Sequence, residues 1–145
     1  MSKTTTLVRI VANYGHQYLG LLNDSRTDDE QPQWVQLVAR GKKQGYAVGD
    51  VVQVTLTNTS STPAQGAIEK VHERRNLFYR SEFNKQKNLA ANIDQVAIIC
   101  ATEPGFSEEL LGRALICAHV ADIEALIVLN AIDVAGLLPV ARPRL

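Results

Sequence analysis

The chain has 145 residues, 46% of them apolar and 21% charged, which is an ordinary globular composition and excludes a disordered tail or a low-complexity spacer. The formal net charge is zero, but Lys and Arg outnumber Asp and Glu by twelve to eight in residues 1–88 and are outnumbered three to seven in residues 89–145. No apolar run approaches the roughly 20 residues of a membrane helix, so no membrane partner is expected.

The first eighty residues read as β. Thr5 to Tyr14 is rich in β-branched residues, Gly15 permits a turn, and Tyr18-Leu19-Gly20-Leu21-Leu22 resumes an apolar run. A polar loop from Asn23 to Pro32 leads into Trp34-Val35-Gln36-Leu37-Val38-Ala39. Because it sits in an alternating strand, Trp34 is expected in the core. Gly41 to Gly45 breaks the pattern, Val48-Gly49-Asp50 turns, and Val51 to Thr57 alternates again. Gln65 to His72 closes the series. About five short strands with regular turn signals predict a small barrel, and five is the strand number of an OB-fold.

Residues 73–92 are rich in Arg, Lys and Asn and show no strict period, so residues 81–92 read as a linker. From Asp94 the pattern changes. Asp94 to Ala101 is almost continuously apolar, as in a parallel strand covered on both faces. Phe106 to Val120 reads as a helix with Ser107 as N-cap, Glu108 and Glu109 in its first turn, and Leu110, Leu111, Ala114, Leu115, Ala118 and Ala121 on its apolar face. Ala125 to Leu129 is a second buried strand, making a βαβ unit. Leu137 to Leu145 begins a further helix, interrupted at Pro139 and Pro143.

Cys100 and Cys117 each lie in an apolar run without a C-x-x-C or Cys/His partner, which predicts free thiols, no metal site and a reducing compartment. The N-terminus lacks the apolar core of a signal peptide, and a cytoplasmic location is expected.

Two groups of residues can carry chemistry. Asn130 and Asp133 follow the second buried strand, where open α/β sheets bind ligands. A carboxylate there can accept from the N1–H and amino group of guanine, and an amide can meet N7 and O6. Asn and Asp at strand ends are also common turn formers. The second group is cationic: Arg40, Lys42, Lys43, Arg74 and Arg75 are candidate RNA contacts, since such charges neutralise phosphates, with Tyr14, Tyr18, Trp34 and Tyr46 as possible stacking faces. The sequence contains no G-x-x-x-x-G-K-[ST], and no residue is assigned as a nucleophile or general base.

Ile10-Val11-Ala12-Asn13-Tyr14-Gly15, Val48-Gly49-Asp50-Val51-Val52, Ile68 to Arg80 (with Val71-His72-Glu73-Arg74-Arg75), Ala90-Ala91-Asn92-Ile93-Asp94 and Ile127 to Asp133 stand in the order of one family. Together they resemble the ribosome small subunit-dependent GTPase A family (RsgA, also called YjeQ). The resemblance implies an OB-fold RNA-binding domain in residues 1–80, a linker in 81–92, and in 93–145 the first βαβ unit of a circularly permuted P-loop GTPase domain. On this basis the chain is expected to be an N-terminal fragment.

The resemblance further implies a GTP hydrolase acting in late maturation of the 30S subunit, with GTP and Mg as cofactors and Zn in the family's C-terminal domain. The partners implied are the 30S subunit and 16S rRNA, and a monomer is expected. Asn130 and Asp133 become the guanine-reading pair. Ala131 stands where the family motif Asn-Lys-x-Asp has lysine. The fragment alone is expected to be inactive as a GTPase and to keep only rRNA contacts. The alternatives are a non-enzymatic OB-fold RNA-binding module and an inert truncated fragment.

Overall fold

Alternation of apolar and polar residues along the first five strands gives each strand one face to bury, and the structure buries all five against one another. The computed structural model describes residues 5–22, 32–40, 45–82, 85–134 and 136–145. Strands β1 (Thr5–Asn13), β2 (Gln17–Leu22), β3 (Gln33–Ala39), β4 (Val51–Asn58) and β5 (Ala64–Val71) close into a barrel in the order β1-β2-β3-β5-β4. β3 and β5 pair in parallel; the other neighbours are antiparallel. This is the five-stranded OB-fold barrel expected from the sequence.

Inside the barrel lie Val8, Ile10, Tyr18, Val35, Leu37, Val52, Val54 and Ile68. The filling is tight. A Cβ on Gly20 would lie 2.3 Å from Val8 Cγ1 and 2.8 Å from Leu37 Cδ1, so this inward position on β2 admits only glycine without repacking. Trp34, expected in the core, is instead 43% exposed. Its neighbours Val35 and Leu37 take the inward positions of β3, and the pleat sends Trp34 to the other face. Tyr18 and Tyr46 are core residues, with ring centroids 5.4 Å apart in an edge-to-face contact.

The region expected to be a linker is folded. β6 (Leu77–Glu82) and β7 (Lys85–Ala91) form an antiparallel hairpin, and the first compact unit runs to Asn92. The hairpin is largely exposed, so its strands carry Lys, Gln and Asn rather than an apolar alternation. Its pairing rests on backbone bonds and on its attachment to the barrel. Ala91 N–H donates to Val48 O at 2.8 Å, and the Asn92 amide donates to Gly49 O at 2.9 Å. Gly49 has φ +91°, and a Cβ there would lie 1.9 Å from Ala91 O. The V-G-D turn therefore needs glycine both for its backbone angle and to admit β7.

The second unit, Ile93–Leu145, is a βαβ arrangement. β8 (Gln95–Ala101) and β9 (Glu124–Asn130) are parallel neighbours joined through α1 (Glu108–Val120). The Ser107 side chain accepts from Leu110 N–H, and Glu108 and Glu109 occupy the first turn, as expected of this N-terminus. α1 buries Leu111 and Ala118. Leu110, expected on its apolar face, is 68% exposed.

Nor is the two-stranded sheet covered on both faces. Val96, Ile98 and Cys100 are buried or half-buried, while Ile99, Leu126 and Val128 on the opposite side of the pleat are exposed. The apolar run thus gives a strand that buries one face only, among the described residues.

After β9 the chain forms α2 (Leu138–Ala141) and a 3-10 turn (Arg142–Arg144), short because of Pro139 and Pro143. Arg144 ties this end to the start of α1. Its guanidinium donates to Glu108 Oε1 at 2.6 Å and to Phe106 O at 3.0 Å, and lies 4.7 Å from the Phe106 ring centre.

Candidate guanine-reading loop and nucleic-acid surface

Asn130 is the last residue of β9, and the chain turns sharply beyond it. Ala131 has φ +57°, a left-handed value uncommon outside glycine, and Val134 N–H closes the turn on Ala131 O at 3.4 Å. The loop after β8 holds this conformation. Thr102, itself buried, donates its hydroxyl to Ala131 O, and its N–H donates to Asn130 O at 3.2 Å. With the backbone of 130 and 131 fixed, the Asn130 and Asp133 side chains are both exposed, and none of the described hydrogen bonds engages either one. An amide and a carboxylate three residues apart thus stand at the carboxyl end of a parallel strand with their hydrogen-bonding capacity unspent. That donor and acceptor set fits the edge of a guanine.

Thr102 was not singled out by sequence reasoning. Its only sequence signal is its place one residue past an apolar strand, which marks it as a loop residue and no more.

The cationic candidates divide three ways. Arg74 points into the protein: its Nε donates to Asp50 Oδ1 at 2.7 Å, and its terminal nitrogen donates to Asp50 Oδ2 at 2.8 Å and Gly45 O at 2.9 Å. Asp50 is fully buried and also accepts from Ala47 N–H at 2.8 Å. The hydrogen bond to Asp50 raises the Arg74 guanidinium above its usual range, against burial, which lowers it. Arg40 pairs with Glu69 at 2.9 Å on the surface, with half of its side chain exposed. Arg75 is exposed, and its backbone N–H donates to Asn92 Oδ1 at 2.8 Å. Lys42 and Lys43 lie outside the described residues.

Of the aromatic candidates, Tyr14 is 73% exposed and Trp34 is 43% exposed, whereas Tyr18 and Tyr46 are core residues. Two open cavities adjoin Gly45, Tyr46 and Asn88. One, of about 630 Å³, also takes in Lys70, His72 and Arg74; the other, of about 800 Å³, includes Asn13, His16 and Lys87. Among the described residues no group of three or more His, Cys, Asp or Glu comes together.

A family profile described as RsgA GTPase matches residues 71–138. A small ribosomal subunit biogenesis GTPase RsgA from Burkholderia pseudomallei (strain K96243) is 46% identical over 137 residues, covering 94% of this chain and 40% of that protein. One from Paraburkholderia phymatum is 46% identical over 136 residues with the same coverage. The chain belongs to the RsgA family. It spans about 40% of the length of these curated relatives.

Among solved structures, YjeQ from Thermotoga maritima superposes with a TM-score of 0.61 at 20% identity, over 97% of this chain and 46% of that one. YloQ, described as a circularly permuted GTPase, superposes with a TM-score of 0.59 at 20% identity and the same coverage. The barrel and the βαβ unit are thus the RsgA fold. Several RsgA-like segments of the sequence meet at one place in the first unit. Asp50 of V-G-D, Arg74 of H-E-R-R and Asn92 of A-A-N fasten the hairpin and the barrel together.

Proposed function

We propose that this chain carries the RNA-binding barrel and the guanine-reading loop of a ribosome biogenesis GTPase that acts in late maturation of the 30S subunit in the cytoplasm. In this reading the barrel contacts 16S rRNA through phosphate-neutralising residues, with Arg40, Lys42, Lys43 and Arg75 as its cations, and the chain is a monomer. Arg74 is not among these cations, because its guanidinium is spent on Asp50 and the Gly45 carbonyl.

Asn130 and Asp133 read guanine, the carboxylate accepting from N1–H and the 2-amino group. Ala131 lacks the aliphatic stem and charge that lysine lays along a base, so affinity for the base alone is low. Hydrolysis of GTP requires positioned phosphates and Mg, and the 145 residues contain no phosphate-cradling G-x-x-x-x-G-K-[ST]. These residues by themselves bind rRNA and do not turn over GTP.

The observation that carries the reading is 46% identity over 94% of the chain, joined to two unengaged polar side chains at the tip of β9. Co-sedimentation of the purified chain with 30S subunits over a salt series tests it. The reading requires binding at low salt that declines steeply toward physiological salt; a flat salt profile, or no binding, defeats it.

A further inference from the structure

Thr102 meets two successive carbonyls of the chain leaving β9. Its N–H donates to Asn130 O at 3.2 Å, which is the last rung of the parallel β8–β9 ladder, one residue beyond the pair Ala101 and Asn130. Its hydroxyl donates to Ala131 O, the next carbonyl along. Successive carbonyls of an extended strand point to opposite edges, so a neighbouring strand does not ordinarily reach both. Here the left-handed backbone of Ala131, with φ +57°, brings the second carbonyl round to the β8 side. The hydroxyl bond is therefore one that no strand ladder would supply.

Residue spacing makes this bond matter. Side chains three apart on a continuing strand face opposite sides of the sheet, so Asn130 and Asp133 could not address one ligand if β9 ran on through Ala131. The local sequence does little to stop it. Ile132 and Val134 are β-branched, and no glycine or proline lies between Asn130 and Val134. The turn's own bond, from Val134 N–H to Ala131 O, is long at 3.4 Å. Left-handed geometry at a residue with a side chain persists only where its surroundings impose it. Thr102 is equipped to impose it, because it is buried and its loop is anchored at the far end. There Arg144 donates to Phe106 O at 3.0 Å and to Glu108 Oε1 at 2.6 Å. A donor on an anchored loop restrains its acceptor, whereas a donor on a loose one would follow it.

We propose that Thr102 is a positioning residue for base selection: its hydroxyl holds Ala131 in the left-handed turn that lets Asn130 and Asp133 serve one guanine. This rests on the guanine reading given above. Adenine offers a carboxylate neither an N1–H nor a 2-amino group, so its binding gains nothing from an aimed Asp133. Loss of the hydroxyl therefore falls on guanine and spares adenine.

The test is titration of the isotope-labelled full chain with guanosine monophosphate and, separately, adenosine monophosphate at millimolar concentrations, following the amide resonances of residues 130–134. Wild type should prefer the guanine nucleotide. Thr102→Val should reduce that preference roughly 2- to 10-fold with the affinity for adenosine monophosphate unchanged, and Thr102→Ser should restore it. A merely structural loss would lower both affinities together, so the ratio separates positioning from support. Thr102→Ala removes the same donor and should give the same loss, which keeps the test open if Thr102→Val does not fold. A variant without the hydroxyl that keeps the wild-type preference, or that loses both nucleotides in step, overturns the role of Thr102 and leaves the guanine reading standing. No guanine preference in the wild-type chain overturns both.

Discussion

Arg74 grips Asp50 with two nitrogens at 2.7 and 2.8 Å, and through that grip the segment following β5 is fixed to the turn that begins β4. Asp50 is fully buried, so its charge has no recourse to water, and the guanidinium with Ala47 N–H must satisfy it. Removing Arg74 leaves a buried, half-satisfied carboxylate. Arg74→Ala should therefore cost about 3–5 kcal/mol of unfolding free energy. Arg74→Lys should recover only part of this, because a single ammonium cannot form the two-pronged contact. Urea unfolding followed by Trp34 emission measures both, and an Arg74→Ala midpoint equal to wild type would remove Arg74 from this role.

Gly49 is the hinge pin of the hairpin attachment. Any side chain there meets Ala91 O and requires a backbone angle of +91° that L-residues rarely adopt. Gly49→Ala should detach β7 from the barrel, with amide protection falling in residues 85–91 well before the strands β1 to β3 are affected. Hydrogen exchange resolves the two. Equal loss of protection in both regions would mean that the hairpin is not a separately released element.

The barrel was legible in the sequence because its strands face a single core and so alternate cleanly; Val8, Ile10, Val52 and Val54 mark the period directly. The hairpin was not, because Lys85, Gln86, Lys87 and Asn88 face solvent on most sides and their strand conformation is imposed by the contact at Gly49 and Ala91. Trp34 was misplaced for a related reason. Alternation gives a strand two faces, but hydrophobicity alone does not say which one is inside when both hold large residues. At the tip of β9 the pair Asn130 and Asp133 is readable in the sequence, whereas the tie from Thr102 joins residues 29 apart in sequence and has no local signature.

Alkaline stability should follow the two buried tyrosines. Burial raises the pKa of Tyr18 above its ordinary value of 10.0. Burial, then the charges of Tyr18 and Asp50, raise that of Tyr46 in the same direction. The unfolded chain ionises near pH 10 while the folded chain still holds its protons, so the contribution is fully present below the unfolded value. It is lost as pH rises through the higher folded values. Unfolding free energy should fall with pH above about 10, and Tyr46→Phe should make that decline shallower even if it shifts the neutral-pH value. A slope identical in wild type and variant would place the alkaline transition elsewhere.

The last prediction concerns the turn that presents Asn130 and Asp133. Ala131 sits at φ +57° with its carbonyl held by the Thr102 hydroxyl, and left-handed geometry at a residue with a side chain persists only where its surroundings impose it. Thr102→Val keeps the shape of the side chain and removes the donor, leaving Ala131 O without that partner. The cost should be on the order of 1–3 kcal/mol, and it should appear locally, as faster amide exchange in residues 131–134 with the barrel unchanged. Thr102→Ser, which restores the hydroxyl, should return exchange to near the wild-type rate. If Thr102→Val leaves the exchange of these amides as it was, then the β9 tip holds its own conformation, and the loop after β8 has no part in aiming the two side chains.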